Sequence, residues 1–217
     1  MRLIGTGRGR ARVLELRAAR RLAACPERIE RDGLAAWVET AERIEHRGRA
    51  VAGDERPHSV PPGAHGGNID VNLLVEGTSL LLPVQVEGAL AYVGDPHFAQ
   101  GGGEVALTAL EASLRATLRF DVVPRERALA EYGELTGPLV ETPELIVPTG
   151  LHEDLGEAMR CCVRSALALL RARWGVEEHL AYAYLSAATD FDVSQVVDVV
   201  CGVHARIRTA DFAGVPR

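Results

Sequence analysis

The chain has 217 residues, 47% of them apolar and 25% charged, with a net charge of −6 at neutral pH. That balance fits a globular protein of one large or two small domains. No stretch reaches 18 apolar residues without a charge, which excludes a membrane-spanning helix, and the acidic excess argues against nucleic acid as a partner. The opening MRLIGTGRGR lacks the apolar run of a signal peptide, so a cytoplasmic location is expected. All 24 basic residues are Arg. Residues 1–57 hold 13 Arg against 9 acids, and residues 58–217 hold 11 against 21. Without interleaved aromatics, the basic first segment reads as a solvated helical surface. Cys25, Cys161, Cys162 and Cys201 form no CxxC pattern, so they are expected reduced and mostly buried.

In chain order, GTGRGR at 5–10 has the look of a dinucleotide loop, but no strand is expected before it, so it is set aside. Residues 9–24 and 34–48 are rich in Ala, Leu, Glu and Arg and suit short surface helices. The prolines at 57, 61 and 62 make 49–63 a connector. From 69 the character changes. IDVNLLVEG and TSLLLPVQVEGALAYVG read as two or three strands with a tight turn near Gly77. Pro83 suggests an edge strand or a bulge. EVALTAL (104–110) and SLRATLRFDVV (113–123) read as further strands, the second with a period of two. ETPELIVPTG (141–150) gives another short strand. Residues 152–173 are a strong helix, with Leu155, Met159, Cys162, Val163, Ala166, Leu169 and Leu170 at helical spacing. Gly175 ends it, a second helix covers 176–188, and DFDVSQVVDVVCGVHARI returns to a strand-like or short helical pattern. The expected class is mixed α+β, with a helical stub, a β-rich core and a C-terminal α+β portion. The expected division is 1–57, a helical or irregular segment; 58–150, a β-rich domain; and 151–217, the α+β portion.

Two glycine-rich stretches carry the chemistry. In HGGNID (65–70), Gly66 and Gly67 let backbone approach a ligand, while His65 and Asp70 can converge across the bend with Asn68 as orienter. In GDPHFAQGGGE (94–104), Asp95 and His97 are two apart and share a face if extended, with Pro96 stiffening them. The Gly101–Gly103 run can turn Glu104 back toward the pair. An oxygen and an imidazole on one face are a common start to a divalent-metal site. His65, Asp70, Asp95, His97 and Glu104 are therefore the expected metal ligands. Imidazole favours zinc and the carboxylates admit calcium. A metal there suits hydrolysis at a carbonyl, with a spare carboxylate as general base. In DFDVSQVVD, Gln195 and Asp198 are candidates to orient the ligands, or else to cap a helix or close a turn. No GxSxG elbow is present.

These words resemble the acetamidase/formamidase family. PPGAHGGNIDVNLLVEGTSLLLPVQVEGALAYVGDPHFAQGGGEVALTALE carries the resemblance, followed by ETPELIVPTGLHEDLGEAMRCCVRSAL and AYLSAATDFDVSQVVDVVCGVHARI. It implies hydrolysis of short linear amides such as formamide or acetamide to ammonia and a carboxylate, and a β-rich fold of sandwich or jelly-roll type joined to an α+β portion. It carries His65, Asp70, Asp95, His97, Gln100, Glu104, Gln195 and Asp198 into the family's motifs. The expected mechanism is metal-assisted attack of water, with Glu104 or Asp95 passing the proton and Gln100 and Asn68 assisting. Two departures stand out: Gly102 where the family's QGDGE word has Asp, and about 60 Arg- and Ala-rich residues where the family has a longer β-rich region. They motivate an alternative, a non-catalytic or partner-dependent binding module that retains the fold. A homodimer is expected on base rates, and a second protein supplying the upstream region is a further candidate partner.

Overall fold

A computed structural model describes residues 2–5, 60–85, 89, 91 and 93–215. The expected helices at 9–24 and 34–48 and most of the connector lie outside the described residues. Seven strands form one mixed sheet: β1 (Arg2–Gly5), β2 (Ser79–Pro83), β5 (Asp121–Pro124), β6 (Leu139–Glu141), β7 (Leu145–His152), β8 (Asp190–Gln195) and β9 (Cys201–Arg208). Their spatial order is β5-β1-β2-β6-β7-β9-β8. β1 lies parallel to both neighbours, and the other pairings are antiparallel. A separate hairpin joins β3 (His97–Ala99) to β4 (Leu110–Glu111). Three α-helices, α1 (Arg125–Tyr132), α2 (Leu155–Trp174) and α3 (Glu178–Ala188), and a 3-10 turn at Thr209–Phe212 complete the described structure. The mixed class is as expected. None of the described helices is long and apolar enough to cross a membrane.

The long helix forms where the sequence placed it. Its stripe Ala158, Cys162, Ala166, Leu169, Leu170 and Trp174 is buried, and the Asp154 side chain accepts from Glu157 N–H at the N-terminus. Replacing Asp154 with Ala is expected to cost about 1 kcal/mol in urea unfolding, because one end N–H loses its acceptor. The stripe packs on one face of the sheet against Ile146, Val203, Ala205 and Ile207. Approach is close: a Cβ on Gly150 of β7 would sit 2.2 Å from both Ala158 O and Cys162 N. Alternation along β9 turns His204 to the opposite face, level with Thr149 of β7 and Asp192 of β8. On that face Val71 packs on Val140 and Val147, so the 60–76 loop is laid over the sheet.

Several expectations change. Residues 69–77 form turns rather than a strand, tied by Leu74 N–H to Val71 O and Thr78 N–H to Val75 O. Only Leu110–Glu111 of the 104–111 region and Asp121–Pro124 of the 113–124 region are strands. The alternation over 113–120 finds no neighbouring strand among the described residues, and Leu114 stays exposed. Pro83 ends an interior strand, opposite Ile4, where no further ladder bond is required. A strand does precede GTGRGR, contrary to expectation, although residues 6–10 themselves lie outside the described residues. Helix α1 was not anticipated. Cys161, Cys162 and Cys201 are free as expected, with only Cys162 fully buried.

Candidate active site

The two glycine-rich stretches meet on the sheet face away from α2, at the end of β8. Gly103 N–H donates to Ser194 O at 3.1 Å, and Val196 N–H donates to Gly103 O at 2.9 Å. This clamp presents Glu104. From the other stretch, Asp70 N–H donates to Gln195 Oε1 at 3.1 Å, and Gln195 Nε2 donates to Asp198 Oδ2 at 3.3 Å. One buried glutamine thus ties the HGGNID turn to the SQVVD segment.

Carboxyl oxygens of Asp70, Glu104 and Asp198 all lie within 4.8 Å of one another. Asp70 and Glu104 are only 6% and 8% exposed. Burial first, then the neighbouring carboxyl of Glu104 and the charges of Asp198 and Asp95, push the Asp70 pKa up to about 8. Asp198 is raised too, by its burial and the Glu104 charge, against hydrogen bonding from Asn68 and Asp70. Asp70 Oδ2 is buried with no hydrogen-bond partner. Three acids held this close are costly unless protons or a cation lie among them.

A second group lies alongside. Donor atoms of Asp95, His97 and Glu111 also come within 4.8 Å of one another. His97 Nε2 sits 3.5 Å from Asp95 Oδ2 and 3.9 Å from Glu104 Oε1, so it links the two groups. Gln100 fixes this imidazole. Its Nε2 donates to the Asp70 carbonyl, which leaves Oε1 facing His97 Nδ1 at 3.2 Å. An amide oxygen only accepts, so Nδ1 carries the proton. The Nε2 of His97 faces two carboxylates and is buried without a hydrogen bond, a place that a cation would fill.

The backbone here is strained. Asn68, Asp95, Glu104 and Asp198 all have positive φ, at 50°, 52°, 40° and 63°. Such conformations cost on the order of 1 kcal/mol each and gather where a side chain must be aimed. Gly103, at φ 89°, takes the same region without a side-chain penalty. At Gly102 a Cβ would meet Val193 O at 3.3 Å, so a larger residue requires that strand to yield.

Of the expected residues, Asp70, Asp95, His97, Gln100, Glu104, Gln195 and Asp198 therefore gather in one place. His65 falls in neither group. Its Nδ1 accepts from Gly67 N–H at 2.9 Å, which folds the ring back on its own turn. Asn68 Nδ2 donates to Val60 O at 2.7 Å and so anchors the loop. Glu111 was missed. It stands opposite His97 across the β3–β4 hairpin, a pairing that a 14-residue separation in sequence does not reveal. Asp198, expected only as an orienter, lies among the carboxylates themselves.

Residues 10–209 match the model of the acetamidase/formamidase family, and the chain belongs to that family. The match extends upstream of the motifs into the Arg- and Ala-rich segment. An acetamidase from Mycolicibacterium smegmatis is 35% identical over 157 residues, which span 64% of this chain and 38% of that protein. A formamidase from Methylophilus methylotrophus is 32% identical over 99 residues, 45% of this chain and 23% of that protein. Among solved structures, an acetamidase from Bacillus halodurans superposes with a TM-score of 0.68 at 29% identity, covering 76% of this chain and 53% of that one. One from Yersinia enterocolitica gives 0.64 at 29%, covering 72% and 45%. The chain thus spans well under half of these curated relatives and about half of these solved chains.

Proposed function

We propose that this chain carries the hydrolytic site of an amidase that cleaves the C–N bond of short linear amides, formamide or acetamide in kind, to ammonia and a carboxylate. The observation that carries the reading is the convergence of Asp70, Glu104 and Asp198 with Asp70 Oδ2 buried and unpartnered. The names of the related acetamidases and formamidase support the substrate class.

The residues fit a divalent cation. Asp70, Glu104 and Asp198 would hold a hard ion such as calcium, and His97 with Asp95 and Glu111 would suit zinc. When bound, such an ion lowers the pKa of water and polarises a carbonyl. The chain's own residues do the rest. Gln100 keeps His97 in the tautomer with Nε2 free. Gln195 fixes Asp70 and Asp198. Glu104, next to the His97 ring, takes the proton from attacking water and returns it to the leaving ammonia, while exposed Asp95 is the alternate acceptor.

A β layer of sandwich or jelly-roll type and a homodimer belong to the same proposal. The exposed side chains of Phe98, Val105, Leu107 and Leu110 around the hairpin support the dimer, since apolar surface next to a site often marks an interface.

Metal analysis of the purified protein with ammonia release from both amides tests the reading. Bound metal and turnover are expected, and His97→Ala should lose at least about 100-fold in turnover together with any zinc. A metal-free protein that releases no ammonia even when supplied with zinc or calcium would favour the non-catalytic module. Retention of both properties by His97→Ala would remove His97 from the site.

A further inference from the structure

Beneath the carboxylates lies a polar pair the mechanism does not use. Ser194 and His204 are 3% and 1% exposed, and Ser194 Oγ lies 2.7 Å from His204 Nδ1. His204 Nε2 faces Asp192 Oδ2 at 3.8 Å and makes no hydrogen bond. Asp192 Oδ2 is also 3.5 Å from Arg206 Nη1. Serine, histidine and aspartate in a row suggest a nucleophile, but Ser194 Oγ is closed off from a substrate carbonyl by its burial.

The place of Ser194 in the sheet points elsewhere. The β8–β9 register shifts between Val193 and Gln195, which makes Ser194 the bulged residue. A bulge re-aims the side chains that follow it and is common beside active sites. Here the next residue is Gln195, which holds Asp70 and Asp198, and the Ser194 carbonyl holds Gly103, the neighbour of Glu104. The three carboxylates, Asp70 and Glu104 buried and Asp198 half-buried, are therefore all tied to this one irregular point. Outside the β8–β9 ladder the backbone of the bulge is held by the Gly103 clamp, and its one side chain, Ser194, is held by the imidazole of His204 on the neighbouring strand.

We propose that the buried Ser194–His204 pair is the positioning device of the site: by pinning the β8 bulge it aims Gln195, holds Gly103 in register and so sets the spacing of Asp70, Glu104 and Asp198. It deepens the amidase reading, resting on it only in treating these carboxylates as the working groups.

Hydrogen exchange followed by NMR on the metal-free full chain tests this apart from that reading. In Ser194→Ala and His204→Leu, the amides of Asp70, Gly103 and Val196 should exchange about tenfold faster or more, while those of Ile146, Val203 and Ile207 keep their protection. His204→Asn, whose side-chain nitrogen stands where Nδ1 stood, should restore the protection. Unchanged exchange at the first three amides overturns the proposal. So does uniform acceleration everywhere, which would make the pair merely structural. Loss of ammonia release in Ser194→Ala with exchange unaltered would instead make Ser194 a nucleophile. If the unaltered protein binds no calcium or zinc, the amidase reading fails while the exchange result still decides the positioning role.

Discussion

Replacing Asp70 with Asn is expected to abolish cation binding, with affinity falling at least about 100-fold, since even outer-shell losses cost 10- to 100-fold. The same change should make the metal-free protein less sensitive to pH. The folded-state pKa of Asp70 is raised to about 8 from an ordinary 3.8. The folded state therefore holds a proton that the unfolded chain has released between those values. That contribution is fully present below the unfolded pKa and is lost as pH rises through about 8. Metal-free protein should melt at progressively lower temperature across this window, and Asp70→Asn should flatten the decline. In the unaltered protein, a bound cation should displace the proton, so binding at neutral pH should release about one proton. Calorimetry in buffers of different ionisation enthalpy reads that release, and melts at pH 5 and 8 with and without calcium or zinc read the rest. Equal pH dependence in Asp70→Asn and the parent would show that Asp70 is not the group under tension.

Replacing Gly150 with Ala is expected to be the most damaging single methyl in the described structure. The new Cβ would lie 2.2 Å from two backbone atoms of α2, Ala158 O and Cys162 N, and 2.7 Å from Cys162 Cα. Backbone cannot rotate away as a side chain can. The helix must lift off β7, which opens its contacts with Val203 and Ala205. A loss of about 3 kcal/mol or more is expected, at the upper end for overpacking, which in a chain of this size lowers the melting temperature by roughly 10 °C. Urea unfolding measures it, and a change below about 1 kcal/mol would mean that the helix–sheet spacing is softer than its geometry implies. Insoluble expression of Gly150→Ala beside soluble Gly150-containing parent would agree with the larger figure.

The helices at the end of the chain were legible because their signals are local. The helical spacing of Cys162, Ala166, Leu169 and Leu170 and the Gly175 stop need no knowledge of the partner sheet, whereas the Asp154 cap and the burial of Ala158 and Trp174 come from the structure. Strands fared unevenly for the converse reason. The strand expected at 141–150 forms over Leu145–His152, because Ile146–Gly150 is mostly apolar and buried on both faces. SLRATLRF has the alternation of a strand, yet a strand exists only where a neighbour accepts its hydrogen bonds. Arg2–Gly5 is the reverse case, a short segment placed between two strands that lie about 80 and 120 residues away.

Residue types and spacing by themselves marked out the segments that meet at the candidate site, the acids, imidazole and amides of HGGNID, GDPHFAQGGGE and SQVVD, and the resemblance to the family lies in the same words. Only the tertiary structure decided how they divide. It put Asp198 among the buried carboxylates, brought Glu111 to His97 through a hairpin, left His65 on its own turn, and set a buried Ser194–His204 pair beneath them. The physical reason is that ligand identity is a property of single residues, whereas convergence depends on register and on left-handed backbone at a few points, and on contacts such as that of Asp70 with Gln195, 125 residues away.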